Sequence, residues 1–384
     1  MMSSGRGLGA RALIALVAAG PISRAGLGER LGLSPATTTR IVRPLIEAGL
    51  VVERPPVGQS GPGRPTRLLA IVEECATVVG IKLTADRLYA VLTDPLGRVL
   101  EREQLVLGGS EGSSAEAVVA LIATALDRLA ERGARRPDAV GISLGGAVVG
   151  RSTVTVATFL GWRDVPLAGM VSSVTGLPCA VANDVRAFAY AEAWFGAGRG
   201  ASPFALVTLG AGIGCGMVID GEVVSGMRGA AGSVGHLPVA EGGPRCEIGH
   251  PGCARALAST AGIVRSVAER LGCDPGSLSI EALLGEGLRD ERAVEEVLRD
   301  AALAAGRVVG TLIAFLDPEL VVVSGEGVGV LELHREIFEE EVVRLRHWSV
   351  PPVPVQLRPF EFDEWARGAA ALALEQWADA AGGR

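Results

Sequence analysis

The stretch Gly226–Arg255, GMRGAAGSVGHLPVAEGGPRCEIGHPGCAR, limits what this chain can fold into more than any other. It holds eight glycines, two histidines and two cysteines. Glycine weakens helix and strand interiors, so this density predicts tight turns or backbone lying close against something. His236, Cys246, His250 and Cys253 all carry metal-ligating side chains, and two thiolates with two imidazoles suit zinc. The stretch reads as a metal-pinned loop beside a ligand pocket.

A chain of 384 residues suits two or three domains. Its charge is uneven. Residues 1–70 carry nine Arg against three Glu, a net +6 within a total of −7, which leaves −13 for the remainder. A basic head on an acidic body predicts an anionic partner for the head, double-stranded DNA first of all. The six cysteines show no disulfide-framework spacing, so a reducing, cytoplasmic setting is expected. Arg6 and Arg11 ahead of ALIALVAAG imitate a secretory signal, but the apolar run is short and reads as the first helix of the head. No apolar run reaches about 18 residues, so no membrane partner is expected.

Leu8 to Ala19 has helical spacing, with Leu13, Leu16 and Val17 on one face. Ser23 is placed to cap a second helix, Arg24 to Leu31, and Gly32 to make a turn. Ser34-Pro35 is an N-cap followed by proline at the first helical position, opening a third helix that runs to about Ala48. Pro44 is expected to bend that helix or loosen its last turn. Helix, short glycine turn and helix make a helix-turn-helix. Ser34, Thr37, Thr38, Thr39, Arg40 and Arg43 suit base-edge and phosphate contacts. Strands at Leu50–Glu53 and Thr66–Val72 would add a wing. Arg64, on the stiff Gly63-Arg64-Pro65 turn, suits its tip. A helical cap that binds no DNA is the plainer alternative. The winged head is assigned to 1–72.

In the body, strands are expected at Val78–Leu83, Arg87–Leu92, Val99–Gln104 and Ala139–Leu144, with a helix at Ala115–Arg132. A similar order recurs later: strands at Ala205–Thr208, Cys215–Ile219, Glu222–Val224 and Leu320–Val323, with helices at Ala256–Leu271 and Ala293–Leu316. This predicts a mixed α/β body of two related lobes with a cleft between them. A C-terminal helix, Glu364 to Ala381, is expected to pack back on the first lobe. The body spans 75–384, with lobes at about 75–182 plus 364–381 and about 183–363.

Four segments carry a specific resemblance: LGWRDVPL at 160–167, GLPCAVANDVRAFAYAEAWFGAGRG at 176–200, VTLGAGIGCGMVIDG at 207–221 and GAAGSVGHLPV at 229–239. In this order and spacing they resemble the ROK family, which groups sugar-responsive repressors with sugar kinases. The head, with ISRAGLGERLGLSPATTTRIVRPLIEAGLVVE, resembles the repressor branch. The implied body fold is the duplicated actin-like, sugar-kinase-like (ribonuclease H-like) architecture.

The resemblance also marks departures. The kinase branch opens its first hairpin with an Asp-x-Gly-Gly-Thr type turn that holds phosphate. Here Lys82 stands at the Asp position, and Thr84 and Ala85 at the glycines. ATP binding in the family manner is therefore not expected, and the chain is expected not to be an enzyme. The loop Gly210–Gly216 is nearly intact, but reads equally as a tight strand connection. Asn183-Asp184 is intact; the resemblance makes Asp184 the relic of a general base, while its position also suits a helix cap. Thr158, Asn183, Asp184, Ser233, His236 and Arg255 fall at effector-contacting positions, with Ser233 and Arg255 replacing family carboxylates. Those two exchanges suggest an anionic effector paired to Arg255, unless Arg255 points to solvent. The family zinc loop uses one His and three Cys, and its middle cysteine is here Ile248. Either His250 completes a His236, Cys246, His250, Cys253 set, or packing alone holds the loop.

The expected function is a DNA-binding repressor, a homo-oligomer (dimer or tetramer) that senses a carbohydrate-related effector. The rival readings are a sugar kinase retaining a DNA-binding head and an effector-independent DNA-binding protein.

Overall fold

Two hydroxyl caps build the head. In the computed structural model, which describes residues 6–55, 67–108, 114–133, 135–289, 291–359 and 362–383, Ser23 accepts from the Gly26 amide at 3.0 Å. Ser34 accepts from Thr37 at 3.2 Å. Each cap satisfies an amide that the first helical turn leaves without a partner, worth about 1 kcal/mol. Between the capped helices Arg24–Leu31 and Pro35–Glu47, Gly32 turns the chain at φ 65°. Leu13, Leu16 and Val17 of the helix Leu8–Ala19 are buried against them, as their spacing predicts. The wing strands are Val51–Arg54 and Leu68–Ile71, with a short strand Ile22–Ser23 on the outer side. Pro44 does not end its helix, which runs on to Glu47. The wing tip, with Arg64, lies outside the described residues.

The body repeats one topology. In the first sheet the strands lie in the order Val99–Val106, Arg87–Thr93, Val78–Leu83, Ala139–Leu144, Cys179–Asn183. In the second they lie in the order Glu222–Val223, Ile213–Ile219, Phe204–Leu209, Leu320–Ser324, Val355–Leu357. In each, an antiparallel meander of three strands is extended by two parallel ones. The continuous burial of Val78–Leu83 and Ala139–Leu144 is what sheet covered on both faces requires. The small sheet Ala147–Val149, Thr153–Ala157, Trp162–Val165 was not legible from strand alternation.

The chain divides into two compact units: residues 1–200 with 362–384, and residues 201–361. The lobe divide thus falls after Gly200, later than the expected 182/183. The reason is the helix Asp184–Phe195, which packs on the C-terminal helix Phe362–Gly382. At their crossing Gly368 lies against the Ala187 carbonyl, where a Cβ would collide with backbone. The same C-terminal helix lies on the first sheet over Gly80 and Gly141, paired neighbours in the sheet. Ala366, Ala369 and Ala370 face those glycines, so helix and sheet meet backbone to backbone. At its far end Gly382 meets Gly9 of the head in the same way.

In the second unit the expected helix Ala256–Leu271 is two helices, Ala254–Ala258 and Thr260–Leu271. Ser259 breaks it. Its hydroxyl accepts from the Gly262 amide at 3.0 Å and donates to the Arg255 carbonyl at 2.6 Å.

Candidate DNA interface, effector site and metal cluster

The third helix of the head carries the DNA-facing candidates. Ser34, Thr39, Arg40 and Arg43 are exposed and Thr37 half-exposed. Thr38 is not among them, which corrects the expectation. It is 1% exposed, its hydroxyl donating to the Ser34 carbonyl at 3.0 Å while the side chain packs against Gly28. A full turn of helix cannot be outward-facing, and Thr38 is on the inward face. Arg43 is held by Glu47 at 2.7 Å, one turn on. Arg40 makes no ion pair or hydrogen bond among the described residues. The wing is tied to the second helix by Arg24 on Glu53 at 2.6 Å. Arg24 and then Arg67 hold the Glu53 carboxyl below its usual pKa, against the effect of its own partial burial.

In the first unit, Lys82, Asn183 and Asp184 lie at or next to the carboxyl ends of parallel strands, where open α/β sheets bind ligands. Asn183 caps the following helix, accepting from Val185 at 3.1 Å, and donates to the Gly146 carbonyl at 3.1 Å. Asp184 also accepts from Val185, at 2.9 Å. The helix cap expected of Asp184 is thus Asn183, with Asp184 in the first turn adding a second bond to Val185. The other Asp184 oxygen is ion-paired with Lys82. Lys82 is 7% exposed, and its ammonium lies 4.8 Å from the Trp365 ring centroid. Both Asp184 oxygens are thus already engaged within the chain, one by the Val185 amide and one by the Lys82 ammonium. The degraded turn is occupied by its own chain: Thr84 N–H donates to the Arg87 carbonyl at 2.9 Å, and the Thr84 hydroxyl accepts from Arg87 N–H at 3.0 Å. Those amides are not offered to a phosphate. Thr158 is exposed at the start of a short 3-10 turn.

In the second unit, the loop Gly210–Gly212 closes the hairpin between Phe204–Leu209 and Ile213–Ile219, with Gly210 N–H on the Gly212 carbonyl at 3.0 Å. Gly325, at φ 116°, abuts the Leu209 carbonyl. Close packing thus accounts for Gly325. Ser233 is exposed and belongs to a turn. Arg255 is ion-paired with Glu247, so the charge it adds is already matched, and the expectation of an anionic effector loses its support.

The metal candidates converge. Cys246 N–H donates to the His250 carbonyl at 3.1 Å, making the tight turn that returns His250 toward Cys246. The ligand atoms of His236, Cys246 and His250 lie within 4.8 Å of one another. His236 Nδ1 is 3.7 Å from Cys246 Sγ and 3.9 Å from Cys253 Sγ. A tetrahedral zinc with bonds of about 2.3 Å to sulfur and 2.0 Å to nitrogen has S···N edges of about 3.5 Å. Ile248 is 62% exposed and leaves the cluster open. Burial, then the nearby charges of His250 and Arg255, hold His236 below the usual imidazole pKa, which favours the neutral, ligating form. At Cys246 burial opposes ionisation, but the amides of Ile248 and His250 and the Cys253 thiol outweigh it and hold the pKa down. Burial first, and then Cys246, push Cys253 up. Cys246 is the first thiolate, and His236, Cys246 and His250 form a donor set that fits zinc; Cys253 lies by His236 but outside that mutually close group.

Sequence reasoning passed over one cluster. Glu375 of the C-terminal helix is 1% exposed and bound by Arg151 and, at 3.1 Å, by Arg6 of the head. Arg6 also reaches Asp379 at 3.2 Å. The signal was a lone acid inside the apolar run AALALEQWA.

The ROK family profile matches residues 78–376, and that of the MarR family residues 10–60. The xylose repressor of Caldicellulosiruptor bescii is 27% identical over 336 residues, spanning 84% of this chain and 83% of its own length. A crystal structure of a ROK family transcriptional regulator, homologous to the E. coli MLC protein, aligns at TM-score 0.76 and 25% identity, over 97% of this chain and 96% of that one. The ROK family glucokinase of Streptomyces griseus, solved with glucose and AMPPNP, aligns at TM-score 0.66 and 26% identity, covering 77% of this chain and 99% of its own. The kinase thus covers 77% of this chain, against 97% for the regulator and 84% for the repressor. The chain belongs to the ROK family, with a MarR-like winged-helix head ahead of the family domain.

Proposed function

We propose that this protein is a sequence-specific DNA-binding transcriptional regulator, a repressor whose ROK body senses a carbohydrate-related effector and holds the protein as a homo-oligomer. The observation that carries this reading is the winged head, whose third helix presents Thr37, Thr39, Arg40 and Arg43 outward. The names of the regulator and repressor it resembles along most of its length support it. The kinase alternative is disfavoured by the Lys82–Asp184 pair and by the self-bonded turn at Thr84. Within the first unit, effector contacts are assigned to Asn183 and Asp184, with Thr158 exposed in the same unit; within the second, Ser233 and His236 are separately available, both exposed.

Arg40, the unengaged guanidinium, is assigned to a base edge, and Arg43 to phosphate. Arg40→Ala is expected to weaken operator binding by about 10- to 100-fold and relax preference at one position, as loss of a bidentate base contact does. Arg43→Ala weakens all sequences alike and lowers the salt dependence. Fluorescence anisotropy on operator and scrambled DNA at several salt concentrations distinguishes them; equal losses on both DNAs for Arg40→Ala contradict the assignment.

Zinc is assigned to His236, Cys246, His250 and Cys253, where it would supply a structural crosslink for the glycine-rich loop. His250→Ala is expected to lower zinc content of the purified protein well below one per chain and its affinity by at least about 10-fold. Metal analysis by mass spectrometry checks this. Unchanged occupancy removes His250 from the set.

A further inference from the structure

Arg151 occupies a turn that does not call for an arginine. Ser152 N–H donates to the Val149 carbonyl at 3.3 Å, closing the connection between the strands Ala147–Val149 and Thr153–Ala157. The two central residues, Gly150 and Arg151, have φ of 64° and 56°. Turns with positive φ at both central positions favour glycine, asparagine and aspartate. An arginine held in that conformation implies a task for its side chain.

Arg151 joins three elements of the first unit. Its guanidinium is ion-paired with Glu375 Oε2 of the C-terminal helix and donates to the Tyr190 hydroxyl of the helix Asp184–Phe195 at 2.5 Å. Its backbone carbonyl accepts from Val181 N–H at 2.8 Å. Val181 lies in the strand Cys179–Asn183, two residues before Asn183. Glu375 gives its other oxygen to Arg6 at 3.1 Å, and Arg6 leads into the head helix Leu8–Ala19. One carboxylate, 1% exposed, is thus shared by a cation bonded to the Asn183 strand and a cation of the head.

Sharing makes the contact responsive. Leaving a buried carboxylate oxygen without its cation is strongly unfavourable, so a movement of Arg151 has to be answered by Glu375 and Arg6. We infer that Arg151 is a positioning residue through which occupancy at Asn183 and Asp184 is passed to the DNA-binding head, by way of Glu375 and Arg6. This deepens, and rests on, the reading of the protein as an effector-sensing DNA-binding regulator. A ligand that draws on Asn183 shifts its strand, and the Val181–Arg151 bond carries the shift to the turn. The shared carboxylate then changes how Arg6 anchors the head. Coupling between two sites is reciprocal, so DNA on the head alters the Asn183 strand by the same route, whatever the effector is.

The test therefore uses DNA as the probe. Amide exchange across 179–186 is followed by mass spectrometry in the full-length protein, with and without operator DNA recovered by selection from genomic fragments. Wild type, Arg6→Gln, Arg6→Lys and Arg151→Gln are compared, with thermal melting to confirm that each is folded and fluorescence anisotropy to confirm that it binds the DNA. In wild type, DNA is expected to change exchange across 179–186 by at least about fivefold. Arg6→Gln and Arg151→Gln should lose that response while still binding DNA, and Arg6→Lys, which keeps the ion pair, should retain it. A merely structural role for these arginines would lower the melting temperature and leave the response in place. A wild-type response in either glutamine variant, or no response in wild type that has bound DNA, overturns the relay and leaves the regulator reading standing. Failure of wild type to bind DNA overturns the regulator reading and the relay with it.

Discussion

Gly141→Leu is expected to leave no cooperatively folded first unit at ordinary temperatures. A Cβ at Gly141 would occupy the position of the Ala369 carbonyl and crowd the Ala373 amide, both backbone groups of the C-terminal helix. No side-chain rotamer relieves such a contact; the helix must lift. Its neighbour Gly80 faces the Ala366 carbonyl and Ala370 amide in the same way, so lifting one end pulls on the whole seam. Overpacking in a core costs about 1–3 kcal/mol and more when backbone cannot move, and a domain has only about 5–15 kcal/mol to lose. Separating the helix would also expose Ala369, Ala370, Leu372 and Leu374, all almost fully buried. Urea unfolding followed by tryptophan fluorescence checks this, since Trp365 and Trp377 lie on the helix. A wild-type midpoint for Gly141→Leu contradicts the packing described.

Glu375→Ala is expected to lower stability by about 3 kcal/mol, the lower end of the cost of removing one member of a buried ion pair. Arg6 and Arg151 would then face each other across an emptied site. Arg151 can partly reach water, its side chain being 34% exposed, which moderates the penalty. It keeps a second bond, to the Tyr190 hydroxyl at 2.5 Å. Among the described residues Arg6 then keeps the exposed Asp379. The larger consequence is local. Arg6 precedes the head helix Leu8–Ala19, whose other end is held by Arg199, donating to the Ala18 carbonyl at 2.9 Å. Loss of Glu375 should loosen the head from the C-terminal helix, and amide exchange within 8–19 should rise at least tenfold. Arg6→Gln should reproduce the exchange change with a smaller loss of stability, because Arg151 still neutralises Glu375. Unchanged exchange in both variants would mean that the apolar helix contact alone docks the head.

The parts of this architecture that were legible in sequence are those written in local chemistry. Ser23 and Ser34-Pro35 announced their helices because a hydroxyl cap and a proline at the first helical position act within three residues. The two meanders were legible as short apolar strands separated by turn residues. The Ser259 break was missed because the apolar periodicity runs on through it; only its cap bonds, to Gly262 and Arg255, show the chain starting afresh. Thr38 was misplaced because three successive threonines share composition but not a helix face. The site chemistry was least legible, because it depends on distant partners. Lys82 and Asp184 are separated by 102 residues, and nothing near Lys82 in sequence marks it as the cation that holds Asp184. Arg255 was read as a free charge because its partner Glu247 sits on another turn of the loop. By contrast, the His236, Cys246, His250 cluster was legible, since ligating residue types are rare enough in this chain for four of them within 18 residues to stand out.

The central claim is that a DNA-binding head answers to a sugar bound by a body that does no kinase chemistry. No helix among the described residues is long and apolar enough to cross a membrane. Operator DNA would be recovered by selection from genomic fragments, and its binding followed by fluorescence anisotropy as D-xylose or D-glucose is added, with ATP turnover recorded in the same samples. The account predicts salt-dependent binding in the range of about 10⁻⁸–10⁻¹¹ M, weakened at least tenfold by one of the sugars, with no phosphorylated sugar formed. Sequence-indifferent DNA binding that no sugar alters, or turnover of ATP with sugar phosphate as product, would contradict it.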